Sequence, residues 1–241
     1  MPADRLVILT RTVEDNAPLV GALSAHGVSV VEVPCLASRP RPFKVSQVGG
    51  RGLAGFAAVA FTSRRAVAAV AHEAKAWRAY GGLLAAVGSG TAEAMTEAFG
   101  RPPEVISEDG TGGSLAEQLA NRLPVGGTIL HLRGDKTTGT LQGGLTAAGF
   151  SFHEEVVYEN VAPVIERLDG VGAGTLALFA SPSAARRFFA VNEHLLDVVQ
   201  PVAIGPTTQA ALLSLGTKEP AVATRPDMAA LLECIIELTR R

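Results

Sequence analysis

The chain carries one pattern twice, and the two copies agree best where strand-like runs hand over to helix-like ones. Leu6-Val7-Ile8-Leu9-Thr10-Arg11, followed by an apolar stretch ending at Gly27, returns as Thr128-Ile129-Leu130-His131-Leu132-Arg133, followed by one ending at Gly149. The offset is a constant 122 residues, 11 to 133 and 27 to 149. Phe61-Thr62-Ser63 is echoed by Phe179-Ala180-Ser181, and Val87-Gly88-Ser89-Gly90-Thr91 by Ile204-Gly205-Pro206-Thr207-Thr208, at offsets of 118 and 117. A repeat this long lies far above the solenoid range, so it reads as a duplicated α/β unit. Two such units are expected to face each other across one cleft.

Composition narrows the class. With 241 residues, 47% hydrophobic and 18% charged, the chain has enough apolar surface for one or two packed domains. Residues 1–5 lead straight into an apolar run without a signal-peptide pattern, which predicts that the mature protein begins at Met1. The longest uncharged run, 198–217, is broken by Pro201, Gly205 and Pro206, which argues against a membrane span. Cys35 and Cys234 make neither a disulfide framework nor a metal site; they read as packing residues in a reducing cytoplasm. A net charge of −2 and few aromatic residues offer no field or stacking platform for nucleic acid. An anionic ligand would have to be held locally.

Short β-branched runs alternate with helical stretches, the pattern of βα units around a parallel sheet. Strands are expected near 5–10, 28–33, 57–62, 84–88, 128–132, 152–157, 175–180 and 201–204, with weaker ones near 104–106 and 221–223. Helices are expected over 14–26, 64–74, 90–99, 114–123, 138–148, 183–190, 206–215 and 227–239. Gly27, Gly100, Gly149 and Gly216 stand where a left-handed residue closes a helix. Ser114 with Glu117 reads as a capping box. Arg39-Pro40-Arg41-Pro42 and Asn160-Val161-Ala162-Pro163 look like crossings between units, so the chain crosses twice. Two divisions follow. One cuts at Pro124; the other exchanges halves, giving a first domain from 1–35 plus 165–241, a second from 40–155, and a connector of 29–36 with 154–162.

Six turns join strand ends to helix starts: Thr10-Arg11-Thr12, Thr62-Ser63-Arg64, Gly88-Ser89-Gly90-Thr91, Arg133-Gly134-Asp135-Lys136, Ser181-Pro182-Ser183 and Gly205-Pro206-Thr207-Thr208. In a parallel sheet they lie at the carboxyl ends of the strands, where ligands bind. Each offers unpaired N–H groups to a carboxylate or phosphate. The plainer explanation is that Ser, Thr and Pro are good cap residues; six such turns in a duplicated frame favour a polyanion site. Arg11, Arg64, Arg133 and Lys136 would add charge there, arginine being suited to bidentate carboxylate recognition. Tyr158, one of two tyrosines, ends a strand-like run at the second crossing; taken alone it reads as a packing ring, but a phenol there can also donate a proton. Other motifs fail. Gly88-Ser89-Gly90 lacks a third glycine, no P-loop occurs, and the five histidines have no ligand spacing. Glu108-Asp109, running into Gly110, reads as a solvated turn.

Phe61-Thr62-Ser63-Arg64-Arg65-Ala66-Val67, Ala86-Val87-Gly88-Ser89-Gly90-Thr91-Ala92, Val157-Tyr158, Phe179-Ala180-Ser181-Pro182-Ser183 and Ala203-Ile204-Gly205-Pro206-Thr207-Thr208 span nearly the whole chain. On these pieces it resembles the uroporphyrinogen-III synthase family. The resemblance implies a cytoplasmic lyase of heme biosynthesis, expected to act as a monomer, without cofactor or metal, membrane or nucleic-acid partner. It would cyclise hydroxymethylbilane with loss of water and inversion of ring D. The implied fold is α/β, two flavodoxin-like three-layer domains with parallel sheets joined by a two-stranded connector, which selects the exchanged division. By the Val-Tyr match, Tyr158 becomes the expected catalytic donor. Thr62, Ser63, Thr91, Ser181, Thr207 and Thr208 carry over as substrate-contacting positions; Arg11, Arg133 and Lys136 rest on the turn argument, and Arg64, Gly88 and Ser183 complete the expected set. Arg64-Arg65 departs from the family, where a proline often follows the serine. The rival reading is a non-catalytic two-domain protein that closes on a small polyanion. A response-regulator relative is disfavoured, since Thr10-Arg11-Thr12 stands where its acidic cluster would.

Overall fold

The computed structural model describes residues 6–50, 52–225 and 227–240. The expected chain start and the first residue of strand 5–10 lie outside the described residues. The chain folds into two compact units, one of Met1–Ala37 with Val161–Arg241 (unit 1), the other of Ser38–Asn160 (unit 2).

Unit 1 opens with β1 (Leu6–Leu9), α1 (Val13–Ala25) and β2 (Ser29–Glu32). The chain then builds unit 2 from β3 (Ala37–Pro40), β4 (Ala58–Phe61), α2 (Arg64–Ala69), α3 (Ala74–Ala79), β5 (Leu83–Ala86), α4 (Ser89–Phe99), β6 (Val105–Ile106), α5 (Gly112–Arg122), β7 (Thr128–Gly134), α6 (Thr140–Ala147) and β8 (Ser151–Val161). It returns to unit 1 for β9 (Leu176–Phe179), α7 (Pro182–Val191), β10 (Gln200–Ala203), α8 (Pro206–Ser214), β11 (Ala221–Val222) and α9 (Met228–Thr239).

The sheets run β11-β10-β9-β1-β2 and β3-β8-β7-β4-β5-β6. Unit 1 therefore has the flavodoxin-like order 2-1-3-4-5. Carrying the repeat across gives the same order in unit 2, with β3 added at one edge. The registers repeat as well. Val7 lies opposite Leu176 as Ile129 lies opposite Ala58, and Leu6 opposite Ser29 as Thr128 opposite Ser151, every pair parallel. Each unit thus combines the opening βαβ of one copy with the last three strands of the other.

Side chains on a strand alternate between faces, so a strand apolar on both faces needs a helix layer on each. In unit 1, Val7 and Leu9 pack with α1 and α9 residues Leu23 and Leu231, while Ile8 packs with α7 and α8 residues Phe188 and Leu212. In unit 2, Phe61 and Leu132 pack with Trp77 and Phe99 on one face, while Ala60 and Ile129 pack with α5 and α6 residues Leu115 and Leu145 on the other. Each unit has three layers.

Three local expectations change, and a fourth, for Cys35, is met. The connector strand is not 29–36, because β2 pairs with β1; the strand beside β8 is β3, whose Pro40 is tolerated at a sheet edge. The helix expected over 64–74 is broken after Ala69. The chain turns at Ala71–Glu73 and resumes as α3, where the Trp77 indole donates to the Val70 carbonyl at 3.0 Å. Helix α5 is capped by Thr111, whose Oγ1 accepts from the Ser114 N–H at 3.2 Å, so Ser114 lies inside the helix. The reason is Asp109, whose Oδ1 accepts from both the N–H and hydroxyl of Thr111 at 2.8 Å. Finally, Cys35 is wholly buried and its thiol is pushed up to about 12 by that burial, which suits a packing residue. The four helix-closing glycines all have positive φ, from 67° to 84°. Among the described residues, no helix is long and apolar enough to cross a membrane.

Candidate active site

At the carboxyl end of the unit 2 sheet, β4 runs into Thr62 and Ser63. Ser63 is extended (φ −159°, ψ 149°) and caps α2, its Oγ accepting from the Ala66 N–H at 3.1 Å. The same Oγ lies 3.1 Å from the Tyr158 hydroxyl. Tyr158 reaches it through an irregularity in the β7–β8 ladder: Arg133 pairs with Val156, but Gly134 pairs with Tyr158. The extra residue re-aims the ring, as bulges do. The Arg65 guanidinium lies 5.8 Å from the ring centroid and donates to Asn160 Oδ1 at 3.1 Å. Asn160 donates its backbone and side-chain N–H to Asp135 Oδ1 at 3.0 and 2.6 Å, bonds that hold the Asp135 carboxyl below its ordinary range.

A second network lies beside the first. Thr62 Oγ1 is 3.0 Å from His131 Nε2, and His131 Nδ1 is 3.2 Å from Glu154 Oε1. Arg133 donates from Nε to Glu154 Oε1 at 2.8 Å and from a terminal nitrogen to Oε2 at 3.3 Å. His131 and Glu154 meet because they are direct partners across β7 and β8. His131 is 2% exposed, and burial holds its pKa down to about 4, against an ordinary 6.5.

Thr62 and His131 line a cavity of about 470 Å³, bounded also by Val87, Gly110-Thr111-Gly112, Lys136-Thr137-Thr138, Thr140 and Leu141. Here α5 and α6 reach the wall with their first residues, Gly112, Thr140 and Leu141, and Lys136 is the cation among the described lining residues. Such a wall favours an anionic or richly hydrogen-bonding ligand. Among the described residues, no three His, Cys, Asp or Glu side chains group as metal ligands would.

The expected site residues divide between the units. Thr62, Ser63, Arg133, Lys136 and Tyr158 gather at the carboxyl end of the unit 2 sheet, with Gly88 capping α4 (φ 77°), Thr91 buried one turn in, and Arg64 exposed at the start of α2. Arg11, Ser181, Ser183, Thr207 and Thr208 occupy the corresponding end of unit 1. Ser181 caps α7, accepting from the Ala184 N–H at 3.2 Å, and its Oγ is 3.1 Å from that of Ser183; Thr207 is exposed and Thr208 buried. The two repeat-matched arginines already hold carboxylates of the protein. Arg133 is paired with Glu154, and Arg11 with Asp15 at 3.2 Å, with the Met228 sulfur also in reach. They brace the turns. His131, Glu154, Asn160 and the Gly110-Thr111-Gly112 loop join the site without a motif that marks them in the sequence. The one signal for His131 was a polar residue inside an apolar run, on the same strand face as Arg133.

Two units exchanging halves of a duplicated α/β pattern, with a polar cavity at the carboxyl end of a parallel sheet, define a doubly wound α/β protein with its ligand edge where such sheets carry it. The family model described as "Uroporphyrinogen-III synthase HemD" matches residues 17–233. Relatives include the uroporphyrinogen-III synthase of Chlorobaculum parvum, 29% identical over 89% of this chain and 91% of that protein. The chloroplastic uroporphyrinogen-III synthase of Oryza sativa subsp. japonica is 27% identical over 97% of this chain and 80% of that one. In fold, the chain is similar to uroporphyrinogen-III synthetase from Helicobacter pylori (TM-score 0.65, 19% identity, 97% and 99% covered). A mutant uroporphyrinogen III synthase from Thermus thermophilus is also similar (TM-score 0.54, 18% identity, 98% and 99% covered). The chain belongs to the uroporphyrinogen-III synthase family, and is a lyase of porphyrin and heme biosynthesis.

Proposed function

We propose that the chain cyclises hydroxymethylbilane to uroporphyrinogen III at the carboxyl end of the unit 2 sheet. The substrate bears two carboxylates on every ring. Lys136 and the first N–H groups of α5 and α6 suit these anions at the cavity wall, without making the protein as a whole basic. Hydroxymethylbilane also closes unaided to the uninverted isomer, so the enzyme's task is to hold the chain with the substituted carbon of ring D in reach of ring A. Positioning is much of the catalysis.

The observation that carries the chemistry is the 3.1 Å approach of Ser63 Oγ to the Tyr158 hydroxyl. Ser63 Oγ already accepts the Ala66 N–H, and its own proton can point to the Tyr158 oxygen. The phenol proton is then left for the hydroxyl leaving ring A. As that C–O bond breaks, Tyr158 donates to the departing oxygen, which leaves as water, and an azafulvene cation remains for ring D to attack. The substituted α-carbon of ring D makes that bond, and its old bond to the methylene shared with ring C then breaks, leaving a second azafulvene cation on ring C. The free α-carbon of ring D closes on that methylene and loses its proton, which gives the neutral inverted product.

The test is product identity: incubate the protein with hydroxymethylbilane, oxidise, and separate the uroporphyrin isomers. Isomer III in excess is expected. Isomer I alone, formed at the rate of the enzyme-free blank, would leave a polyanion-binding protein instead.

A further inference from the structure

We infer that His131, held as its Nδ1–H tautomer by Glu154, makes the Thr62 hydroxyl a hydrogen-bond acceptor towards the cavity, where it receives a pyrrole N–H of the substrate. This rests on the proposed reaction and adds a positioning residue to it.

The polarity follows from the partners. Glu154 accepts from Arg133 at both carboxylate oxygens, and a carboxylate so paired has only acceptor sites to offer. The ring nitrogen facing it, Nδ1 at 3.2 Å, must therefore carry a proton. Burial keeps the imidazole neutral at pH 7, so Nε2 carries a lone pair. Across 3.0 Å that lone pair takes the one hydroxyl proton of Thr62. What remains on Thr62 Oγ1 is lone-pair density. Since Thr62 and His131 both line the cavity, this part of the wall accepts an N–H and disfavours a carboxylate oxygen. A linear tetrapyrrole presents both kinds of group, ring N–H donors and side-chain carboxylates. The Thr62 position sorts one from the other, leaving carboxylates to Lys136 and the helix ends.

The duplication shows that the fold does not need this relay. At the equivalent register, unit 1 has Leu9 for His131 and Ala180 for Thr62, while Ser181 matches Ser63 and Arg11 matches Arg133. The same sheet forms with a leucine there. A buried imidazole carrying a three-member polar chain has to be explained by something other than the sheet.

The experiment has two arms on the full chain. In 15N-labelled protein at pH 7, long-range imidazole correlations should show His131 with a protonated Nδ1 and a bare Nε2, the signal being assigned by its loss in His131→Gln. Glu154→Gln, which keeps an acceptor oxygen opposite Nδ1, should preserve that tautomer, and Glu154→Leu should lose it. In kinetics, Thr62→Val should raise KM for hydroxymethylbilane about tenfold, the scale of one lost hydrogen bond, and Thr62→Ser should recover most of that loss. An Nε2–H tautomer or an imidazolium in the wild type would overturn the inference, as would an unchanged KM in Thr62→Val. The two failures are separable. A wild-type chain that makes no uroporphyrinogen III removes the pyrrole and the reaction together, whereas a wrong tautomer removes the Thr62 acceptor from an enzyme that still turns over.

Discussion

The Tyr158 ring fills the space that a side chain on Gly134 would need: a Cβ there would lie 2.5 Å from Tyr158 Cζ and 2.8 Å from its hydroxyl oxygen. Gly134 is a glycine for room, since it is not among the residues of positive φ. Gly134→Ala should therefore push the ring off Ser63, destabilise the fold by about 1–3 kcal/mol through overpacking, and lower turnover. Urea unfolding with a turnover assay checks this; a variant matching the wild type in both would mean that the ring is not held there.

His131 predicts a pH dependence of stability. Its folded pKa near 4 lies below the ordinary 6.5, so between those values the unfolded chain binds the extra proton. Stability is therefore full above about pH 6.5, falls as pH drops towards 4, and loses roughly 2 kcal/mol between pH 7 and pH 5 on this group alone. His131→Gln should flatten that slope in urea titrations at the two pH values. An equally steep slope in the variant would assign it to other groups.

Much of the fold was legible because strand and helix periods are local. Val7-Ile8-Leu9 and Ile129-Leu130 are apolar on both faces, which announces a sheet covered on two sides, and the repeat fixes which strands correspond. What escaped depends on pairing. β3 has no strand pattern in Ser38-Arg39-Pro40 and exists because β8 is beside it. Glu154 lies 21 residues from Arg133 and 23 from His131, and only the β7–β8 register brings the three together. Arg11 and Arg133 were recognisable as equivalents, yet whether they face a ligand or a carboxylate of the protein turns on side-chain partners.

Trp77 is the only tryptophan and is fully buried, with Phe61 and Phe99 ring centroids 5.6 and 5.4 Å away. Its fluorescence should report the unfolding of unit 2 alone. Trp77→Ala should cost about 3–5 kcal/mol by transfer and cavity terms, against less for Trp77→Phe. Equal unfolding midpoints for the two variants, followed by circular dichroism, would contradict this packing role.

Tyr158→Phe keeps the ring against Gly134 and removes only the hydroxyl next to Ser63. It should bind hydroxymethylbilane nearly as well as the wild type and turn over about a hundredfold more slowly, within the usual range for a general acid. The decisive measurement is the ratio of uroporphyrin isomers III and I formed from hydroxymethylbilane by the wild type and by this variant under the same conditions. Isomer III in excess is expected from the wild type, and from the variant a mixture shifted towards isomer I as unaided closure overtakes the slowed enzyme. Isomer I at the blank rate from the wild type, or an unchanged rate and ratio in Tyr158→Phe, would contradict it.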